Sequence, residues 1–171
     1  QRVQGFEANE KGQIVNKVGD IKFPRALIPA KGTTEIVLDL NLDSRVEAGK
    51  VFNPEDPYGT SHYSTGVEVF DSQGNKHLMT LFFNKSSDRN WDVRGMVDGK
   101  EIVGGKEGKM SEVMAAKLTF TVDGKLDTET VSKQAFNFTG GALQNQQIKI
   151  DFGDSITTDK GKGLNGSKQY G

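Results

Sequence analysis

The chain has 171 residues, of which 34% are hydrophobic and 26% charged, with 21 glycines, no cysteine and a net charge of −1. That length suits one domain or two small ones and is enough to bury a hydrophobic core. The missing cysteines exclude disulfides, Cys-ligated zinc and thiol catalysis, and a near-neutral chain without a basic stripe is a poor nucleic-acid binder.

No apolar run approaches the ~20 residues needed to cross a bilayer, and no signal peptide is visible. Starting at Gln1 and ending on a glycine-rich stretch, the chain reads as a piece of a longer protein. Near the start, Asn9-Glu10-Lys11-Gly12 predicts a turn and Gln13–Val18 a short strand. Ile21 and Phe23 alternate with polar residues until Pro24 limits pairing. Pro29-Ala30-Lys31-Gly32 reads as a linker, with a soft domain boundary beside it.

Thr33 to Ser44 predicts a single strand with Ile36, Leu38, Leu40 and Leu42 on one face and mostly acids and amides on the other. That is the pattern of an antiparallel strand with one wet face. Asn53–Thr60, holding Pro54, Asp56, Pro57, Tyr58 and Gly59, is a loop by composition. Tyr63, Thr65, Val67 and Val69 then alternate as a strand, Asp71-Ser72-Gln73-Gly74-Asn75 turns, and His77, Met79, Leu81 and Phe83 return. Leu78 and Phe82 face the other way, so the returning strand should lie inside a sheet with both faces covered. Ser86-Ser87-Asp88 predicts the next turn, and Trp91, Val93 and Val97 a third strand ending at an Asp98-Gly99 hairpin turn.

Gly104–Lys109 is loose and polar, and Ser111–Lys117 reads as one helical turn. Leu118, Phe120 and Val122 predict a strand closed by Asp123-Gly124. Phe136 and Phe138 begin another, and Ile148, Ile150 and Phe152 form the last clear one. Beyond Gly153 the periodicity fades, and the glycines with Lys160, Lys162 and Lys168 read as an extended or mobile tail. Short strands at close spacing with turn signals between them predict an all-β fold, an antiparallel sandwich or flattened barrel built from short hairpins.

Candidate chemistry is sparse. His62 and His77 lack the spacing of a zinc site. Ser64, His62 and Asp71 make a triad only on paper, without a nucleophile elbow. The Asp71–Asn75 run lacks the alternate oxygen ligands of a calcium loop and is what a hairpin turn needs anyway. Asp39, Asp43, Glu55 and Asp56 have no visible cleft to face each other across. No phosphate-binding glycine motif is present. Trp91, in phase with Val93, reads as core, which leaves Tyr58 as the better contact residue. The residues alone thus describe an all-β domain without catalytic apparatus or cofactor.

A resemblance adds a function. Gln4-Gly5-Phe6 with Ala8-Asn9-Glu10-Lys11-Gly12-Gln13-Ile14 resembles the opening segment shared by hook and rod proteins of the flagellar axis. Pro29–Thr34 followed by Leu40–Ser44 resembles the start of the hook protein's inserted middle domain. Ser64-Thr65 through His77, then Phe82-Phe83, Asn90-Trp91 and Val93, resembles its hairpin and the following strand. Leu118-Thr119-Phe120, Gly124-Lys125-Leu126, and Gly166 with Gln169-Tyr170-Gly171 continue the likeness in order. The apolar terminal helices that line a hook's inner core are not in this chain, so the piece is expected not to polymerise by itself.

The resemblance implies a structural subunit of the bacterial flagellar hook, the flexible joint between motor and filament, extracellular and non-enzymatic. It implies no cofactor, no metal, no nucleic acid and no membrane. Its partners would be further copies of the same subunit and, for the full-length protein, junction and rod proteins. Residues 1–30 would belong to the inner hook domain or a linker, 31–153 would be the inserted middle domain, and 154–171 the return linker. Sliding contacts are expected in the loops carrying Pro54, Asp56 and Tyr58 and carrying Lys106 and Lys109. The rivals are a carbohydrate-binding or adhesin-type sandwich, which would need Trp91 or Tyr58 exposed on a flat face, and another axial component of the rod or hook cap.

Overall fold

A computed structural model describes residues 3–20 and 30–171. The first strands, β1 (Gln4–Ala8) and β2 (Ile14–Asp20), form an antiparallel hairpin with Phe6 opposite Val18. Its turn is the predicted one. The Asn9 side-chain oxygen accepts the backbone N–H groups of Lys11 and Gln13, and Gly12 takes the positive φ of 71°. The expected alternation at Ile21 and Phe23, and the break at Pro24, lie outside the described residues.

Two short strands follow, β3 (Glu35–Val37) and β4 (Asn41–Asp43), then a single helical turn α1 (Pro57–Thr60). The body is an antiparallel meander of five strands in sequence order. These are β5 (Tyr63–Phe70), β6 (Lys76–Ser87), β7 (Asn90–Asp98), β8 (Met110–Phe120) and β9 (Leu126–Gln134). The chain closes with β10 (Lys149–Asp151) and β11 (Lys168–Tyr170).

The meander follows from the alternation. Val69, Met79, Leu81, Phe83, Trp91 and Val93 point to one face and are buried. A second, less regular layer lies on that face. It brings Ile36, Leu38, Leu42, Phe136, Phe138, Ile148, Ile150 and Phe152 into the same apolar core. The fold is therefore an all-β sandwich whose regular sheet is open. β6 is the inner strand that its two apolar faces predict. Phe82, on the far side from Phe83, is fully buried as well.

Several expectations need correction. Thr33–Ser44 is not one antiparallel strand. It breaks between β3 and β4, which pair in parallel with β10 (Ile36 opposite Ile150) and β11 (Leu42 opposite Gln169). The apolar face of the prediction holds, because Ile36, Leu38 and Leu42 are buried. Ser111–Lys117 is not helical. It is the middle of β8, laddered to β7 on one side and β9 on the other, and that pairing overrides the local preference of Met114-Ala115-Ala116. Asp98-Gly99 does not make a tight hairpin. The Asp98 carboxylate accepts the Lys100 N–H to start a 3₁₀ turn over Gly99–Glu101, and the chain reaches β8 only at Met110. Val122 lies in the β8–β9 turn, 88% exposed, and not in the strand. Phe136 and Phe138 are fully buried but make isolated bridges, to Gln146 and Ile102.

The C-terminal stretch is no mobile tail. Residues 153–166 form an Ω-loop pinched at its neck, where Gly153 and Gly166 bridge. A Cβ on Gly166 would lie 2.4 Å from the Gly153 Cα, and both glycines have positive φ, 125° and 99°. Only glycine fits both requirements. The loop then runs along the start of β9, where Ile156 and Thr157 donate their backbone N–H groups to Leu126 and Asp127. Fading periodicity here marks irregular backbone held by hydrogen bonds and does not mark mobility.

Candidate contact surface

The loop before β5 is built to present Tyr58. Pro57 opens the helical turn and is buried. The Asp56 side chain accepts the Gly59 N–H at 3.1 Å, capping the turn. Thr60 closes the loop on itself, its hydroxyl accepting the Asn53 N–H at 2.9 Å. Asn84 of β6 holds it to the sheet by donating to the Thr60 carbonyl at 2.7 Å. Two aromatic rings seat the loop on the outer face of the sheet. Tyr58 meets Phe82 edge-on with centroids 5.0 Å apart, and Phe52 lies 5.9 Å from the same ring. The Arg94 guanidinium stands 5.4 Å over Phe52 and pairs with Glu112 at 2.6 Å. This small outer cluster explains why Phe82 is buried on the side away from the main core.

The loop before β8 lies beside it. Gly99 donates to the Lys109 carbonyl at 2.7 Å and Lys109 donates to that of Lys106 at 3.2 Å, so the loop is compact. Lys109 then reaches across to Glu55, Nζ to carboxylate 2.5 Å. The two loops that composition singled out thus meet at one edge of the outer face. Pro54, Asp56, Tyr58, Lys106 and Lys109 are all exposed. Between the loops runs a groove of about 450 Å³ lined by Tyr58, Leu78, Thr80, Met110, Asp98, Glu101 and Lys109. Leu78 and Met110 were not among the expected contact residues. The signal was there for Leu78, an apolar residue out of phase with the buried face of β6.

Behind the groove sits a buried histidine. His77 stacks on Phe138 with ring centroids 4.0 Å apart. Its Nδ1 lies 2.7 Å from a Glu101 carboxylate oxygen and its Nε2 3.4 Å from one of Asp71. Asp71 is fully buried and also accepts from the Gln73 N–H, the Asn75 N–H and the Asn75 side chain. Burial pushes the Asp71 carboxyl up, but these hydrogen bonds outweigh it and hold the group below its ordinary range. The Asp71–Asn75 run is therefore a capped hairpin turn, and His77 braces it. Asp71 and Ser64 sit at opposite ends of β5, which dissolves the paper triad. No group of side chains suited to hold a metal ion occurs among the described residues. His62 lies apart, with its Nε2 on the Glu47 carbonyl at 2.9 Å.

Two further acidic residues, Asp43 and Asp123, have structural partners as well. Asp43 is gripped by Arg45, whose hydrogen bonds hold its carboxyl down to about 2. Hydrogen bonds from Lys125 and Thr121 hold Asp123 at about 2. A carboxyl depressed in the folded state contributes stability above its unfolded pKa and loses it as pH falls through the folded value. Stability is therefore expected to decline from about pH 4 toward pH 2 as Asp43, Asp71 and Asp123 take up protons. Glu129, raised by burial, opposes this weakly, since its contribution grows as pH falls. Urea midpoints measured from pH 6 to pH 2 check this, and a flat profile contradicts it.

Trp91 is fully buried, with its Nε1 donating to the Gln169 side chain at 2.7 Å. Tyr58 is 64% exposed but inclined on Phe82. The flat platform of exposed aromatics that a sugar-binding sandwich requires is not formed by these two residues.

Comparison with known proteins gives the family. Residues 41–171, most of the chain, match the model of the flagellar basal body protein FlaE D2 domain. The chain belongs to that D2 family. The D2 domain here is 31% identical over 121 residues to the flagellar hook protein FlgE of Helicobacter pylori, covering 70% of this chain and 17% of that protein. It is 39% identical over 75 residues to FlgE of Escherichia coli, covering 43% of this chain and 19% of the relative. The chain thus spans less than a fifth of the length of the curated relatives it matches. A 32 kDa fragment of FlgE from Caulobacter crescentus shares 18% identity at a TM-score of 0.40, over 64% of this chain and 43% of the fragment. The match of the family model begins at the first residue of β4, so the whole five-stranded sheet and the Ω-loop lie within the matched span.

Proposed function

We propose that this chain is the surface-facing part of a flagellar hook subunit, a structural element of the flexible tube that couples motor to filament outside the cell. The observation that carries the reading is the D2 family match over residues 41–171, together with curated relatives that are hook proteins. The role is mechanical and not catalytic. Residues 1–30 belong to the inner hook domain or a linker and 31–153 to the inserted middle domain, whose return path, 154–171, lies within the span that the family model matches. The partners are further copies of the subunit and, through the full-length protein, junction and rod proteins.

A joint that bends while it rotates needs contacts that can exchange. Large apolar interfaces fix one geometry, whereas polar, wet ones permit sliding. The loops carrying Pro54, Asp56 and Tyr58 and carrying Lys106 and Lys109 fit that need, being exposed and predominantly polar yet firmly seated on the sheet. The burial of Trp91 supports this reading over a sugar-binding one.

The test is immunogold electron microscopy of flagellated source cells with antibody against this chain. Label confined to the short curved segment between cell body and filament is expected. Label spread over the cell surface, or absent from that segment, rejects the hook reading.

A further inference from the structure

The two histidines face different partners, and those partners fix their protons. A neutral imidazole donates from one nitrogen and accepts at the other, whereas the imidazolium donates from both. The Lys85 backbone N–H donates to Nδ1 of His62 at 3.2 Å, so that nitrogen carries no proton, and Nε2 donates to the Glu47 carbonyl at 2.9 Å. His62 is therefore the neutral ring protonated at Nε2. His77 is arranged otherwise. Its Nδ1 faces a Glu101 carboxylate oxygen at 2.7 Å and its Nε2 one of Asp71 at 3.4 Å, so both nitrogens meet acceptors.

Neither carboxylate supplies the second proton. Asp71 has no place for one, because its Oδ1 accepts the Gln73 and Asn75 N–H groups and its Oδ2 the Asn75 side chain. The Glu101 side chain is 31% exposed, so water stabilises its charge. A neutral His77 would turn a lone pair toward one of the two carboxylates at a buried site, where low dielectric makes the repulsion costly. The Phe138 ring, stacked 4.0 Å from the imidazole, presents a π face that attracts a cation. Burial by itself disfavours a charged ring, and two carboxylates against it outweigh that cost. No other charge stands in for the proton among the described residues. Lys100 pairs with Asp98, Lys109 with Glu55 and Lys76 with Glu68, while Asn137, Phe138 and Thr139 bring no titratable group.

We propose that His77 is an imidazolium in the folded chain at neutral pH and acts as a proton-dependent clasp between the β5–β6 turn and the 3₁₀ turn beside the groove. Loss of one ring proton opens the clasp on a defined side. Asp71 is fixed by its three other donors and cannot move away, so the ring keeps the proton on Nε2. Glu101, partly in water already, then swings clear of Nδ1. Glu101 lines the groove, so the shape and charge of that wall change as pH rises. The clasp stands apart from the hook-subunit reading, and neither depends on the other.

The test is a long-range ¹H–¹⁵N spectrum of the ¹⁵N-labelled chain, whose two histidines give two ring patterns. His62→Gln assigns them, since the pattern that remains belongs to His77. At neutral pH His77 is expected to show two protonated nitrogens and His62 one. As pH rises, His77 is expected to lose one proton and the Lys100, Glu101 and Ile102 amides to shift in the same step. In Glu101→Gln the side chain has no charge to release, so those amides are expected to stay still. An unprotonated nitrogen on His77 at neutral pH overturns the proposal, as does a ring that keeps both protons up to about pH 10. Amides that ignore the ring titration, or that move as far in Glu101→Gln as in the unaltered chain, overturn the clasp.

Discussion

Replacing Trp91 by alanine is expected to lower the unfolding free energy by about 4 kcal/mol, the largest single effect of any core substitution in the sheet. Trp91 is fully buried on the inner face of β7, opposite Leu118 of β8. Its ring stacks against Tyr63 with centroids 5.8 Å apart. Its indole N–H donates to Gln169 of β11, so it also ties the last strand to the main sheet. Alanine leaves a cavity the size of an indole and strands the Gln169 amide oxygen. Trp91→Phe separates the two effects. It keeps most of the apolar area and loses the hydrogen bond, with an expected loss of about 1–2 kcal/mol. Urea unfolding followed by far-UV circular dichroism measures both variants, because each removes the chain's lone tryptophan fluorophore. A loss below about 1 kcal/mol for Trp91→Ala contradicts the packing described for it.

Asp71→Ala is expected to cost about 3 kcal/mol or more although it removes few apolar contacts. The side chain is fully buried and gathers the backbone N–H groups of Gln73 and Asn75 at 2.8 and 2.9 Å, the Asn75 amide and His77. Deleting it leaves the Gln73 and Asn75 donors of the β5–β6 turn without their partner and frees one side of the buried His77 ring. Asp71→Asn retains the shape and an acceptor oxygen, so its loss should be distinctly smaller. Hydrogen exchange at the Gln73 and Asn75 amides adds a local readout. These amides are expected to exchange faster in Asp71→Ala, and unchanged protection there argues that the carboxylate does not hold the turn. The outcome also bears on the contact surface, because His77 carries Glu101 to the rim of the groove.

Legibility varied along the chain for identifiable reasons. The β5–β6 hairpin was readable because both its signals are local. Val67, Val69, Met79 and Leu81 alternate, and Gly74, at a φ of 82°, sits where the turn needs it. The burial of Trp91 was readable from its phase with Val93. The two candidate contact loops were readable as loops from their prolines and glycines. Their juxtaposition was not, since the Lys109–Glu55 pair joins residues 54 positions apart. β8 was misread where its composition favours helix, because only its two neighbouring strands make it extended. β11 was missed altogether. Lys168–Tyr170 is too short to show a period, and it becomes a strand through pairing with β4.

The residue pattern by itself determined the all-β class, the central position of β6, the core role of Trp91 and the absence of a recognisable catalytic motif. These follow from side-chain periodicity and backbone sterics, which act within a few residues. The tertiary structure decided the rest. It set the parallel pairing of β3 with β10 and β4 with β11, fixed the glycine neck that turns the C-terminal stretch into an Ω-loop, and brought His77 between Asp71 and Glu101. It also placed the groove between the two loops at one end of the sheet and the Ω-loop at the other. Each of these depends on hydrogen bonds or packing between residues far apart in the chain, such as Ser167 with Leu38 across 129 positions. Local propensity carries no information at that range, so only the folded chain could show it.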